Sequence, residues 1–270
     1  QKYENYEVII SDDGSQDKTR EIVKAIFNKF PNTRAKLLCN THEGPGATRN
    51  RGIVEAGGEW IAFLDSDDLW FPEKLKKIAE FISNSKQIDL VCNSEIQKYG
   101  NSTKLLRYSE LFNNKKELFL SLYRKNTLST SAVTVKTNLL LKAGLFDVTL
   151  PAAQDYELWL RLATIPNVKI GFIEDPLGYY IIRDGSISSA SEQRLRCLLK
   201  INQKHFEHLK QISKFPLLEG LAYEGRHYVS TGLELICKGN LKKGIIFFVV
   251  GIMKWPFRFD WISKVIKIFH

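Results

Sequence analysis

The chain contains the run Trp60-Ile61-Ala62-Phe63-Leu64-Asp65-Ser66-Asp67-Asp68, in which five apolar residues precede three carboxylates within four positions. The apolar half predicts a buried strand, and the acidic half predicts the loop at its carboxyl end. Carboxylates this close repel one another, so we expect a cation to offset them. A divalent metal ion that holds a diphosphate is one such cation. The alternative is a solvated acidic turn that caps the next helix.

The residues before this run alternate between strand and helix patterns. They predict strands over 6–10 and 35–38, helices over 22–30 and 47–56, and the strand over 60–64. This alternation predicts a parallel α/β sheet, in which ligands bind beyond the carboxyl ends of the strands. Both Asp12-Asp13 and Asp65-Ser66-Asp67 are expected at such ends.

The later patterns are mixed and then helical. They predict helices over 73–82, 116–123 and 155–163, strands over 90–92, 131–135, 170–173 and 178–182, and mainly helix from about residue 192, with breaks near Pro216, Gly239-Asn240 and Pro256. The stretch from residue 93 to residue 114 is expected to be less regular.

The net charge of +9 is concentrated in the last part of the chain, where residues 191–270 hold 14 Lys/Arg against 6 Asp/Glu. A basic segment can meet nucleic acid or an anionic membrane, but the acidic clusters upstream argue against a nucleic-acid groove in the main domain. The four cysteines have no metal-ligand spacing, which is typical of a cytosolic protein with reduced thiols. The longest apolar run, residues 244–253, is too short to span a bilayer.

Four segments together resemble family 2 glycosyltransferases of the GT-A fold. In chain order they are EVIISDDGS at 7–15, GP and ATRN within 44–50, FLDSDD at 63–68 and QDYELW at 154–159. The resemblance covers about residues 1–189, so we expect a catalytic domain over 1–189 and a basic, amphipathic helical extension over 190–270. It implies an inverting, Mg²⁺- or Mn²⁺-dependent transfer of a sugar from a nucleotide-diphosphate donor, with UDP-sugars favoured. The expected acceptor is a hydroxyl of a saccharide or of a lipid-linked molecule, in bacterial surface polysaccharide synthesis at the cytoplasmic face of the cell membrane.

The resemblance implies donor-binding roles for several polar residues, namely Asp12, Asp13, Arg49, Asp65 and Arg183. Asp13 would accept the N3–H of a pyrimidine, whereas an Asx-turn or helix cap is its alternative. Asp65 would accept a hydrogen bond from the ribose region. Arg49 would pair with phosphate, whereas a surface or packing arginine is its alternative. Arg183 stands where the family often has histidine before a Gly-Ser pair, and it is expected to meet the diphosphate as a cation.

Three further residues complete the predicted site. Asp67 is the expected metal ligand, and the neighbouring Asp68 is expected to cap the following helix. Asp155 is the expected base that removes the proton of the acceptor hydroxyl, with a helix N-cap as an additional or alternative role. Trp159 is expected on the acceptor side and in the core, with packing its more secure role.

One departure from the family pattern leads to a second hypothesis. The family usually has a strand and a helix before the position of Tyr6, whereas this chain begins at Gln1 and its only methionine is Met253. We therefore expect the natural N-terminus to be missing, and the alternative function is an inactive fragment that acts as a membrane-associated or partner-binding module. Residues 242–269 mix cations with aromatic and aliphatic residues, which is typical of interfacial helices. A helical hairpin packed on the catalytic domain is the other interpretation.

Overall fold

The computed structural model describes residues 1–85, 87–112, 118–125, 128–183 and 191–255. It divides the chain into two compact units, residues 1–183 and 184–270. The domain boundary expected between residues 189 and 190 lies outside the described residues.

The first unit is built of strands and helices that largely alternate. In chain order they are β1 (Glu7–Asp12), α1 (Thr19–Lys29), β2 (Arg34–Cys39), α2 (Pro45–Val54), β3 (Trp60–Ala62), β4 (Leu69–Trp70), α3 (Lys74–Asn84), β5 (Leu90–Tyr99), β6 (Ser102–Leu106), α4 (Leu118–Arg124), β7 (Val133–Lys136), α5 (Thr137–Ala143), α6 (Gln154–Thr164) and β8 (Ile170–Ile181). Single 3₁₀ turns cover Ser109–Leu111 and Thr130–Ala132.

The strands form two sheets in the described part of the chain. β1 and β2 make a parallel pair, and the other six strands make a mixed sheet in the order β3-β7-β5-β8-β4, with β6 on β5. The prediction that β3 continues a parallel sheet is wrong, because β3 pairs antiparallel with β7 and places Ile61 opposite Val135. β7 is buried along most of its length, so β3 gains apolar contacts by pairing with it. The local sequence pattern does not indicate this pairing, because the two strands are distant in sequence.

Two predicted boundaries change for local reasons. The strands expected over 170–173 and 178–182 are one strand, β8, because the register shift that places Ser94 opposite Pro176 absorbs the proline. The less regular stretch expected after Cys92 is instead regular at its start, because β5 continues to Tyr99 and forms a hairpin with the antiparallel β6.

An aromatic cluster lies beneath the end of β3. Phe63 is buried, and its ring makes an edge contact with Phe146 at 5.6 Å between ring centroids. Trp159 on α6 lies 6.2 Å from Phe63 and 6.3 Å from Phe146. The predicted strand therefore ends at Ala62, and the next residue anchors the acidic loop to the core while Leu64 is exposed.

The second unit is helical over its described residues, with α7 (Ser191–Ile212), α8 (Pro216–Cys237) and α9 (Leu241–Lys254). The predicted breaks near Pro216 and Gly239-Asn240 are confirmed, and the break near Pro256 lies outside the described residues. Pro216 begins α8, where its missing N–H is not needed. Gly239 ends the same helix with φ +83°, a conformation that favours glycine.

Helices α8 and α9 approach each other through glycines. A Cβ built on Gly225 would lie 2.8 Å from the carbonyl oxygen of Gly251, and one on Gly232 would lie 2.7 Å from that of Gly244. The two backbones are therefore in contact at both levels, which any side chain would prevent. None of the helices over the described residues is long and apolar enough to cross a membrane.

Candidate active site

Asp12 ends β1 with its carboxylate turned inward. It is 5% exposed, and its Oδ2 accepts hydrogen bonds from Arg20 Nε at 2.7 Å and from the Ser15 N–H at 3.2 Å. Burial alone would raise the pKa of Asp12, but the hydrogen bonds from Ser15 and Arg20 lower it overall. Asp12 therefore anchors the start of α1 through a buried ion pair, which favours a structural role over the donor-binding role expected for it. The sequence offered little sign of Arg20 as the partner, since a basic residue on an exposed helix is common.

Asp13 joins the end of β1 to the start of α2. Its two carboxylate oxygens accept the N–H groups of Glu43 at 2.9 Å and Gly44 at 3.1 Å, and His42 Nδ1 lies 2.9 Å from Oδ2. Gly44 precedes α2 with φ +89°. Burial acts to raise the pKa of Asp13, but the hydrogen bond from Glu43 is the first of several contacts that lower it overall. The carboxylate thus connects two loops, so it forms neither an Asx-turn nor a cap of α1. Its remaining lone pairs can accept a further hydrogen bond.

Helix α2 carries Arg49 into a fixed position. The next residue, Asn50, donates to the carbonyl of Phe146 at 2.9 Å and accepts the Phe146 N–H at 2.8 Å. The Arg49 guanidinium lies 5.5 Å from the centroid of the Phe146 ring, and its Nη2 donates to Asp65 Oδ1 at 2.6 Å. The interpretation of Arg49 as a surface arginine is therefore wrong, because the side chain is 20% exposed and held on two sides.

The loop after β3 brings three carboxylates into different surroundings. Asp65 is paired with Arg49, and its N–H donates to Ser131 Oγ at 3.0 Å. Asp68 is buried, and its Oδ1 accepts the Ile181 N–H of β8 at 2.9 Å. The prediction that Asp68 caps α3 is therefore wrong, and burial raises its pKa.

Asp67 differs from both neighbours. It is half-buried, and in the part of the chain that the structure describes its carboxylate has no hydrogen-bond or ion-pair partner. An acidic group with no internal partner is available for an external cation.

Asp155 lies in the first turn of α6 and is half-buried. Its Oδ2 accepts the hydroxyl of Thr130 at 3.0 Å, and its Oδ1 accepts the N–H of Tyr156 at 2.8 Å. The residue before α6 is Ala153, with φ +59°, so Asp155 is not the N-cap. Burial raises the pKa of Asp155, and the charge of Arg49 is the strongest influence in the opposite direction. Asp155 is thus brought near Arg49 and retains the raised pKa that suits a base.

Two other predicted residues differ in their exposure to solvent. Trp159 is 1% exposed within the aromatic cluster, so packing accounts for it and it offers no surface to an acceptor. Arg183 follows β8 and is exposed, and the Gly-Ser pair that comes after it lies outside the described residues.

Sequence analysis did not single out Tyr180 on β8, whose phenol lies within the electrostatic influence of the candidate site. Tyr180 is half-buried, and burial followed by the charges of Asp68 and Asp155 raises the pKa of its phenol. The predicted strand over 178–182 was a signal for it, because a side chain near the end of a sheet strand lies where ligands bind.

The donor atoms decide which kind of metal site these residues fit. Among the described residues no group of three or more His, Cys, Asp or Glu side chains is placed to hold a metal ion. Asp67 has no partner among the residues that the structure describes, whereas Asp65 is paired with Arg49. Mg²⁺ usually keeps waters and is held by one or two carboxylates together with substrate phosphates. The residues present therefore fit an ion whose coordination is completed by a diphosphate, and they do not fit a cage made by the protein alone.

Comparison with known proteins identifies relatives over the same region. The sequence model of the family described as Glycosyl transferase family 2 matches residues 1–146. An uncharacterized glycosyltransferase of Methanocaldococcus jannaschii is 29% identical over 209 residues, which are 74% of this chain and 70% of the relative. One of Haemophilus influenzae is 37% identical over 142 residues, 50% of this chain and 52% of the relative. The chain thus spans about half the length of the second relative.

Solved structures share the fold. TarS residues 1–349 from S. aureus in complex with UDP-GlcNAc has a TM-score of 0.59 at 22% identity, covering 90% of this chain and 80% of that one. The mannosyltransferase PcManGT from Pyrobaculum calidifontis, in complex with GDP-Man and Mn²⁺, has a TM-score of 0.59 at 14% identity, covering 93% and 79%. These similarities confirm the predicted α/β fold of the GT-A class.

Proposed function

This chain belongs to glycosyl transferase family 2, and we propose that it transfers a sugar, with inversion, from a UDP-sugar to a hydroxyl of a saccharide or lipid-linked acceptor. The observation that carries the proposal is the arrangement around Arg49. Its guanidinium donates to the Asp65 carboxylate at 2.6 Å. Its charge also lowers the pKa of Asp155, although burial has the larger effect and raises that pKa. The proposed cation for the diphosphate and the proposed base for the acceptor are thus close enough to influence each other.

Asp155 has the role of the base. The acceptor oxygen forms a bond to the anomeric carbon from the face opposite the diphosphate, the carbon–diphosphate bond breaks, and the acceptor proton passes to Asp155. A carboxylate whose pKa is raised by burial is a stronger base than an ordinary one, which favours this step. The contacts to Thr130 and Tyr156 hold the carboxylate in one orientation.

The donor is assigned to the carboxyl ends of β1 and β3. Asp13 accepts from the base, Asp65 from the ribose region, and Arg49 donates to the diphosphate, with Arg183 as a second cation. Asp67 would hold Mg²⁺ or Mn²⁺, which supplies neutralisation of the charge on the leaving diphosphate. The Asp67 carboxylate has no partner within the described part of the chain, which supports this assignment, as does the Mn²⁺ bound to PcManGT.

We also propose that the second unit contacts the membrane surface from the cytoplasmic side, where a lipid-linked precursor of surface polysaccharide would be the acceptor. Five apolar side chains of α9 are exposed by 46–76%, namely Leu241, Ile245, Ile246, Val249 and Met253. Lys243 and Lys254 lie on the same helix, and each is also paired with a glutamate. Apolar residues beside cations favour an anionic lipid interface. Sedimentation with phosphatidylglycerol vesicles should be lost in an Ile246→Glu, Val249→Glu variant, and equal sedimentation of that variant would contradict the proposal.

The donor site is tested by calorimetric titration with UDP and with GDP, each with and without Mn²⁺. The solved relatives hold UDP-GlcNAc and GDP-Man, so both nucleotides are needed. Metal-dependent UDP binding should be lost in Asp67→Asn and retained in Asp175→Asn, a matched control in which the carboxylate is exposed and paired with Lys77. Binding of GDP alone would change the donor class. A folded chain that binds neither nucleotide with Mn²⁺ would overturn the proposal and favour the inactive-fragment hypothesis.

A further inference from the structure

The 3₁₀ turn at Thr130–Ala132 contacts both halves of the candidate site. Thr130 donates its hydroxyl to the Asp155 carboxylate at 3.0 Å. The Ser131 hydroxyl accepts the Asp65 N–H at 3.0 Å. Burial raises the pKa of Asp68, and a hydrogen bond from the Ser131 side chain acts in the opposite direction. A displacement of this turn would therefore move the expected base and the acidic loop together.

The carbonyl of this turn is held from the opposite side. Lys74 Nζ donates to the Ser131 carbonyl at 2.6 Å, and Trp70 Nε1 donates to the same oxygen at 3.1 Å. The Lys74 ammonium also lies 4.5 Å from the centroid of the Trp70 ring. Two side chains thus donate to one backbone oxygen, and a cation–π contact joins those two side chains to each other.

Lys74 is an unusual residue to find in this place. It is fully buried at the first position of α3, where the helix dipole disfavours a cation, and ammonium groups are costly to bury. Burial lowers the pKa of Lys74 to about 8, and the carboxylate of Glu95, itself 1% exposed, acts in the opposite direction. The phenol of Tyr108 donates to Glu95 at 2.9 Å. A buried apolar residue would fill this space without the electrostatic cost, so the contact with the Ser131 carbonyl requires a reason beyond packing.

We propose that Lys74 is a positioning residue for sugar transfer, which acts through the Ser131 carbonyl to set Thr130 against Asp155 and Ser131 against the acidic loop. This inference rests on the proposed function. Lys74 touches no substrate, because a fully buried side chain lies behind the turn that forms the site. Removal of its ammonium leaves the turn with one donor and loosens the hydrogen bond to Asp155.

The test is a double-mutant cycle with Lys74→Met, Thr130→Val and the double variant, read as kcat, KM and the pH dependence of kcat. Thr130 lowers the pKa of Asp155, so its removal raises that pKa and moves the acidic limb of the profile to higher pH. Arg49 and Asp65, which also face Asp155, are unchanged in every variant. We expect Lys74→Met to move the limb in the same direction and to lower kcat about tenfold to a hundredfold, as misplaced catalytic groups do. The kcat of the double variant should be no lower than that of Lys74→Met alone.

Two further variants keep the test decisive. Trp70→Phe removes only the second donor, so it should shift the limb less than Lys74→Met, and its cycle with Thr130→Val replaces the first cycle if Lys74→Met does not fold. Lys76→Met, on the same helix but 56% exposed at its side chain, should leave kcat and the limb unchanged. An unmoved limb in folded Lys74→Met, or effects that multiply in the double variant, would overturn the positioning role. If the unmodified chain neither binds UDP or GDP with Mn²⁺ nor transfers sugar, the proposed function has failed instead.

Discussion

The loops that follow β1 and β3 both begin with carboxylates at a strand end, yet they differ in how those carboxylates are satisfied. After β1, Asp12 and Asp13 accept hydrogen bonds from backbone N–H groups, and their pKa values are lowered. After β3, Asp67 has no partner among the described residues, and burial raises the pKa of Asp68. Asp155, which faces the second loop, also has a raised pKa.

This difference separates carboxylates that organise the fold from carboxylates left for chemistry. A carboxylate satisfied by the protein stabilises the native state, whereas a buried or unpartnered one is maintained at a cost in stability. Functional sites commonly contain the second kind. The comparison therefore predicts that substitution of Asp12 lowers stability and that substitution of Asp67 or Asp155 lowers activity.

The largest expected effect is that of Asp155→Asn. Loss of the base should lower kcat about a thousandfold, within the range for general base catalysis. The free energy of unfolding at pH 7 should be unchanged or higher, because the variant no longer buries a charge. Transfer assays and urea unfolding measure the two quantities. A variant that is much less stable than the unmodified chain would place Asp155 with the structural carboxylates.

Asp67→Asn should have the next largest effect on activity. We expect kcat/KM to fall about a hundredfold, equal to about 2.7 kcal/mol of transition-state stabilisation. The urea midpoint should not change, since the side chain has no partner among the described residues. Equal activity of the variant with Mn²⁺ present would remove Asp67 as the metal ligand.

Asp12→Asn should have the converse result. It breaks the contact with Arg20 and weakens that with Ser15, so the free energy of unfolding should fall by about 1–2 kcal/mol. The kcat of the folded variant should stay within about twofold, because a structural contact contributes no transition-state stabilisation. Urea unfolding and transfer assays on the same preparation check both parts, and a loss of kcat without loss of stability would break the comparison.

The smallest expected effect is in the pH dependence of stability. The lowered pKa of Asp12 contributes stability that is present above about pH 4 and lost as the pH falls through the folded-state pKa. The raised pKa of Asp155 has the opposite sign, because the folded state holds a proton that the unfolded state has released, and folding is penalised as the pH rises through that window. Urea unfolding from pH 3 to pH 7 should therefore show Asp12→Asn losing stability relative to the unmodified chain as pH rises, and Asp155→Asn gaining it. If stability changed with pH equally in both variants and in the unmodified chain, the opposite pKa shifts of Asp12 and Asp155 would be contradicted.

Several residues of the predicted site are neighbours in the structure, and their roles stay predictions. Strand-end patterns and the family resemblance together predicted that Arg49, Asp65 and Asp155 belong to one site, and the structure brings them together. Their partners were not predictable, because hydrogen bonds such as Thr130 to Asp155 depend on tertiary packing and leave no periodic signal. Lys74 was missed for a related reason, since a lysine at the start of a helix is normally solvated.

The sheet was harder to predict than the site. β3 pairs with β7, whose residues lie more than seventy positions further along the chain, and local spacing gives no information about such a partner. The burial of Trp159 was foreseen from the apolar face of α6, but the completeness of that burial depends on Phe63 and Phe146, which lie on other segments.

The two hydrogen bonds between the Asn50 side chain and the Phe146 backbone have a consequence for synthesis of the chain. They join residues 96 positions apart and hold the helix that carries Arg49. A ribosome that adds about 5–20 residues per second needs roughly 5 to 20 seconds to make the intervening segment. For most of that interval the nascent chain contains the residues of α2 and the acidic loop but not the Phe146 backbone that holds α2 in place. The donor half of the site therefore cannot mature as it is translated, and it acquires its final geometry only when the segment leading to the base has also emerged.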